Sequence, residues 1–209
     1  MARKVAILDY GAGNILNVLR AFVGQGIDAE LVTEPQSLRT YSHVVLPGVG
    51  SFVYGMEHFA RRKLGDGIIA WAQSGKPMLG ICLGMQILAQ KGFENGTTSG
   101  LGLIAGEIVH LREHNAINQD VRIPHTGWSP LTWCAGNEGS SSLELRTAYF
   151  NHSYYLSNTL ETEIVATTSL GGVEIPAAIR SGSIFATQFH PEKSGEAGIR
   201  LLKAWSLEK

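Results

Sequence analysis

The chain has 209 residues, 44% of them hydrophobic and 17% charged, and 17 basic against 18 acidic residues leave a formal charge of −1. That length fits one domain with an unaided core, and the apolar share excludes a disordered chain. The even charge gives no broad electrostatic case for nucleic acid or an anionic membrane.

Met1-Ala2-Arg3-Lys4 leads into the apolar run Val5–Leu8, shorter than the ~7–15 residues of a signal-peptide core. No run approaches the ~18 apolar residues of a membrane helix, so the chain reads as a soluble, cytoplasmic protein. Val5–Leu8 is the first expected strand, and Asn14 to Gln25 follows as a helix, with Ile15, Val18, Leu19 and Phe22 at helical spacing. Ala29 to Val32, Val44-Val45-Leu46 and Pro77 to Ile81 are further strands, the last preceding a helix from about Gly84 to Lys91. Apolar strands without alternation, separated by helices, predict an α/β fold: a mostly parallel central sheet flanked by helices.

The second half is richer in strands: Glu107 to Leu111, Thr147 to Leu156, Glu163 to Thr168, Ala177 to Ile184 and Phe185 to Phe189. A helix from Gly195 to Leu207 closes the chain. Glu113 to Ser142 is polar and irregular, loosest at Gly136–Ser142, and reads as an excursion from a single domain spanning 1–209. In parallel sheets the chemistry sits beyond the carboxyl ends of the strands.

Asp9-Tyr10-Gly11-Ala12-Gly13-Asn14 follows the first strand like the start of a dinucleotide fingerprint, but Leu16 holds the third glycine position. It reads as a tight turn into a helix. Gly80-Ile81-Cys82-Leu83-Gly84 has the layout of a nucleophile elbow with cysteine in the nucleophile position. Cys82 then starts a helix, where the dipole favours thiolate, and the Leu83 N–H faces a developing oxyanion. Cys134 lacks such a setting and reads as packing.

A thiol nucleophile needs a base and an orienter. His190-Pro191-Glu192 supplies both, because Pro191 keeps His190 extended and residues two apart then share a side. Leu46-Pro47-Gly48-Val49-Gly50 ends another strand with flexible N–H groups suited to a polar ligand.

Taken in order, Leu-Pro-Gly-Val-Gly, Gly-Ile-Cys-Leu-Gly-Met-Gln and Gln-Phe-His-Pro-Glu-Lys-Ser resemble the class I glutamine amidotransferases. Asp-Tyr-Gly-Ala-Gly-Asn and Tyr-Phe-Asn-His-Ser-Tyr-Tyr narrow the resemblance, over nearly the whole chain, to glutaminase subunits of imidazole glycerol phosphate synthase. The resemblance implies that Cys82 attacks the glutamine amide, His190 moves protons and Glu192 orients His190. It further implies that Gly50, Gln86, Ser153 and Tyr154 contact L-glutamine, and that Val49 with Gly50 adds a second oxyanion donor to Leu83. The implied partner is a (β/α)8-barrel cyclase that receives ammonia, with Lys193, His125 and Trp128 at the interface. No metal or organic cofactor is implied. Pro124-His125-Thr126-Gly127-Trp128-Ser129 and Asn151 depart from the family's usual residues near that interface. Two alternatives stay open: a paralogous ammonia donor for surface-sugar amidation, and a catalytically silent module of the same fold.

Overall fold

Val5–Leu8 forms β1, and all four of its residues are buried, as a strand covered on both faces requires. The computed structural model describes residues 3–11, 13–118, 120–134 and 145–208, with backbone alone at 35–37. The expected loose stretch Gly136–Ser142 lies outside the described residues.

After β1 come α1 (Ile15–Val23), β2 (Ala29–Val32), β3 (His43–Gly48), α2 (Phe52–Arg61), α3 (Gly65–Gln73), β4 (Met78–Cys82) and α4 (Leu83–Leu88). The second half adds the short β5 (Lys91–Gly92) and β6 (Thr98–Ser99), then β7 (Glu107–His110), β8 (His125–Pro130), β9 (Thr132–Trp133), β10 (Thr147–His152) and β11 (Tyr154–Ser157). The chain closes with β12 (Ile164–Leu170), β13 (Val173–Ser181), β14 (Ile184–Thr187) and α5 (Gly195–Trp205).

The main sheet runs β2-β1-β3-β4-β14-β13-β12-β9. Its first five strands are mutually parallel, and β13, β12 and β9 extend it antiparallel. Alternate residues of each buried strand face opposite cores. Ala6, Leu8, Val44 and Leu46 meet α2 and α3 through Phe52, Phe59, Ile68 and Trp71. Val5, Ile7, Val45 and Ile81 meet α1 and α5 through Val18, Phe22, Leu202 and Trp205. This is the expected layered arrangement, and it brings the ends of β1, β3, β4 and β14 to one edge.

The expected strands Ala177 to Ile184 and Phe185 to Phe189 correspond to β13 and β14, but the break between them comes earlier than expected. Gly182, at φ 56, turns β13 into β14, a conformation that glycine adopts without strain. Thr147 to Leu156 is divided at Ser153: β10 pairs with β8, while β11 pairs with β7 in a separate sheet. The stretch expected to be irregular contains β8 and β9, because β8 gains its partner from β10, far along the chain. No helix among the described residues is long and apolar enough to cross a membrane.

Candidate active site

Cys82 ends β4 at φ 53 and ψ −108, a conformation that L-residues rarely adopt. Such strain costs on the order of 1–3 kcal/mol and persists only where the surroundings enforce it. Two glycines permit the turn. A Cβ at Gly84 would land on the Leu46 carbonyl, and one at Gly80 would come within 3.0 Å of the Met85 nitrogen. The buried helix α4 then fixes the thiol at the carboxyl edge of the sheet.

Cys82 opens into a cavity of about 210 Å³ lined by Val49, Gly50, Gln86, Glu94, Pro124, Asn151, His152, Ser153 and Tyr154. The expected substrate residues Val49, Gly50, Gln86, Ser153 and Tyr154 therefore share one hollow with the thiol. Leu83 is buried beside it in the first turn of α4. Glu94 is the only acidic side chain in the lining, and it had no local sequence signal. Its Oε2 accepts from the Phe52 backbone N–H at 2.6 Å, which holds the carboxylate at the start of α2.

The amides of this wall have fixed directions. Gln86 Nε2 donates to the Tyr154 carbonyl at 3.0 Å and to Gln188 Oε1 at 3.1 Å. The same carbonyl accepts from His152 Nδ1 at 2.8 Å, so His152 Nε2 is left to accept from His125 Nδ1 at 3.0 Å. Ser129 Oγ then donates to His125 Nε2 at 2.7 Å. Burial, and then His125 beside it, lowers the His152 pKa to about 3, which keeps the ring neutral. The His125 side chain is therefore largely interior, 6% exposed and stacked on Phe150 at 4.7 Å.

His190 follows β14 and is 1% exposed. Its Nδ1 lies 2.8 Å from Glu192 Oε1, so the expected base and orienter meet. His190 itself is extended, at φ −101 and ψ 96, as expected before Pro191, but Pro191–Lys193 is a turn of 3-10 helix that curls the carboxylate back under the ring. Asn14 Nδ2 donates to the same Glu192 oxygen at 2.9 Å. Burial lowers the proton affinity of His190, but Cys82 and Glu192 outweigh it and raise its pKa to about 9. The ring is therefore charged at neutral pH, and its buried Nε2 has no hydrogen-bond partner.

Trp128 is 57% exposed and stands edge-on to Tyr149 at 6.4 Å, while Lys193 Nζ sits 5.6 Å over the Tyr149 ring. Both lie at the Pro191–Lys193 turn. Cys134 pairs its backbone N–H with the Val165 carbonyl, away from this site. Among the described residues, no three His, Cys, Asp or Glu side chains could hold a metal ion.

The family model for class-I glutamine amidotransferases matches residues 6–208. The chain is 42% identical over 197 residues to imidazole glycerol phosphate synthase subunit HisH of Streptococcus sanguinis, covering 94% of this chain and 92% of the relative. The HisH of Bacillus velezensis is 38% identical over 198 residues, covering 95% and 93%. In fold, the chain is similar to PurLQS from Thermotoga maritima, with a TM-score of 0.73, 21% identity and 98% of each chain covered. It is also similar to a glutamine amidotransferase from Thermotoga maritima, with a TM-score of 0.65, 16% identity and coverage of 97% and 83%. The chain is a class-I glutamine amidotransferase, and within that class it belongs to the family of the HisH subunits of imidazole glycerol phosphate synthase.

Proposed function

We propose that this chain hydrolyses L-glutamine to glutamate and ammonia through Cys82, His190 and Glu192, and passes the ammonia to a (β/α)8-barrel cyclase in histidine biosynthesis. The observation that carries the reading is the strained Cys82 opening into a polar cavity, backed by a charged His190 that Glu192 holds by its Nδ1.

The Cys82 sulfur attacks the side-chain amide carbon of glutamine, forming an S–C bond and a tetrahedral oxyanion. The Leu83 N–H, with the Val49-Gly50 peptide once it turns inward, would donate to that oxygen. His190, already protonated, gives its proton to the departing nitrogen as the C–N bond breaks and ammonia leaves. Neutral His190 then takes a proton from water, which attacks the thioester; the S–C bond breaks and the sulfur regains its electron pair. Glu192 balances the ring's charge whenever His190 is protonated and holds its Nδ1 in place when it is neutral. Glu94 suits the α-ammonium of the substrate, being the one carboxylate in the lining. Gln86 adds its Oε1, since both protons of its Nε2 are directed elsewhere.

The partner lies over the exposed Trp128 and the half-buried Tyr149 and Lys193. Gly50, at φ 123 with open space around it, is free to let the Val49-Gly50 peptide reorient when that partner binds. The deciding experiment compares Cys82→Ala with the unaltered chain, each combined with the cyclase. Glutamine-dependent product should vanish, and ammonia-dependent product should stay near the wild-type rate. Glutamate release at an undiminished rate by the variant refutes the nucleophile.

A further inference from the structure

Two polar groups lie within hydrogen-bond reach of the Cys82 sulfur, and they act on it in opposite senses. The Asn151 carbonyl, 3.9 Å away, can only accept, so it favours the protonated thiol. The side-chain Nε2 of Gln188, 3.8 Å away, can only donate. An N–H donor gains strength when its acceptor carries charge, so this contact favours the thiolate. Gln188 has no exposed surface, and buried hydrogen bonds of this kind are stronger than those in water.

Which end of the Gln188 amide faces the sulfur is settled by its neighbours. The Tyr154 carbonyl accepts from Gln86 Nε2 and so fixes the direction of the Gln86 amide. Gln86 Nε2 then claims Gln188 Oε1, leaving Gln188 Nε2 for the sulfur. The string from Tyr154 through Gln86 and Gln188 to Cys82 has one consistent direction. The remaining neighbours do not compete. His190 is cationic and supports the thiolate, while burial and Cys82 itself hold the Tyr10 phenol in its neutral form.

We propose that Gln188 is a further catalytic residue, whose side-chain amide donates to the Cys82 thiolate, with Gln86 as the residue that positions it. The inference rests on Cys82 being the nucleophile. The donor acts twice in the cycle. It holds the sulfur charged before the S–C bond forms, and it receives the sulfur again when water cleaves the thioester and the electron pair returns.

The test measures iodoacetamide alkylation of Cys82 against pH in the full chain carrying Cys134→Ala. Gln188→Met keeps the volume and removes the donor. Gln188→Glu keeps an acceptor for Gln86 and turns a carboxylate oxygen toward the sulfur. The alkylation midpoint should rise by about one pH unit in Gln188→Met, a roughly tenfold loss of thiolate below it, and at least as far in Gln188→Glu. In the complex with the cyclase, kcat for glutamine should fall roughly tenfold while KM stays within about twofold. If Gln188→Met does not fold, Gln188→Glu alone decides the question. Gln86→Met, which frees the Gln188 amide to turn, should shift the midpoint less and in the same direction. An unchanged midpoint in any Gln188 variant overturns the assignment. Loss of turnover in Cys82→Ala with unchanged Gln188 profiles sinks Gln188 alone, whereas surviving turnover in Cys82→Ala sinks the nucleophile itself.

Discussion

Asn14 Nδ2 donates to Glu192 Oε1 at 2.9 Å, and that single oxygen also holds His190 Nδ1 at 2.8 Å. The segment that leads into α1 and the one that leaves β14 are thereby joined at the Glu192 carboxylate. Asn14 keeps this direction because Asn17 Nδ2 donates to its Oδ1 at 2.5 Å. Asn14→Ala should lower kcat by roughly 10–100-fold, the equivalent of a lost hydrogen bond to a charged group at about 1.5–3 kcal/mol. KM for glutamine should change little. Asn14→Asp should be worse, since it sets a second carboxylate against Glu192. Wild-type kcat in both variants would show that Glu192 needs no second support.

The pKa of His190 is the second point of attack. Cys82 and Glu192 both raise it, so Cys82→Ala and Glu192→Gln should each lower its titration midpoint from about 9, as read by NMR of the ring. The sign carries through to stability. A histidine whose folded pKa lies above the ordinary 6.5 stabilises the fold fully below pH 6.5 and loses that contribution as pH rises toward 9. Urea titrations of wild type and His190→Gln should therefore converge across that window. A midpoint that ignores both substitutions would separate His190 from Cys82.

His152 works in the opposite direction. Its pKa is lowered to about 3, so between pH 6.5 and 3 the unfolded chain binds a proton that the native ring refuses. Stability should fall as pH drops through that range, by up to about 1.4 kcal/mol per pH unit for one such group. His152→Gln should flatten the slope by about one proton. Identical slopes in the two proteins would mean that the His125–His152 pair titrates normally.

At the proposed interface, Trp128→Ala should weaken binding of the cyclase by at least tenfold with little dependence on salt, as an exposed aromatic anchor would. Lys193→Glu should also weaken it, more at low ionic strength than at high. Affinity unmoved by either change would place the interface on another surface.

The parts of the site carried by short, local patterns were legible in the sequence. The Cys82 elbow depends on Gly80 and Gly84, and the His190–Glu192 pairing on a three-residue stretch, so spacing alone was informative. The curl of Pro191–Lys193 was not, because a 3-10 turn and an extended strand can offer the same two side chains to each other. Glu94, Asn14 and Gln188 were missed for a different reason. Each acts through a partner far along the chain, at Phe52, Glu192 and Cys82, and only sheet topology brings those pairs together. The burial of His125 was not legible, because β8 alternates between faces and its register with β10 decides which face is inner. The turn at Gly182 falls a few residues before the expected boundary between the last two strands, because both flanks are apolar and only the glycine's positive φ marks the break.

The covalent intermediate is the most direct witness to the account. Acid quenching of the cyclase-bound protein during turnover with glutamine, followed by digestion and mass spectrometry, reads which side chain carries the glutamyl group. A γ-glutamyl thioester on the peptide containing Cys82, absent from the peptide containing Cys134 and enriched in Glu192→Gln, is the expected result. Steady glutamate release with no adduct at Cys82 in either protein would contradict the account.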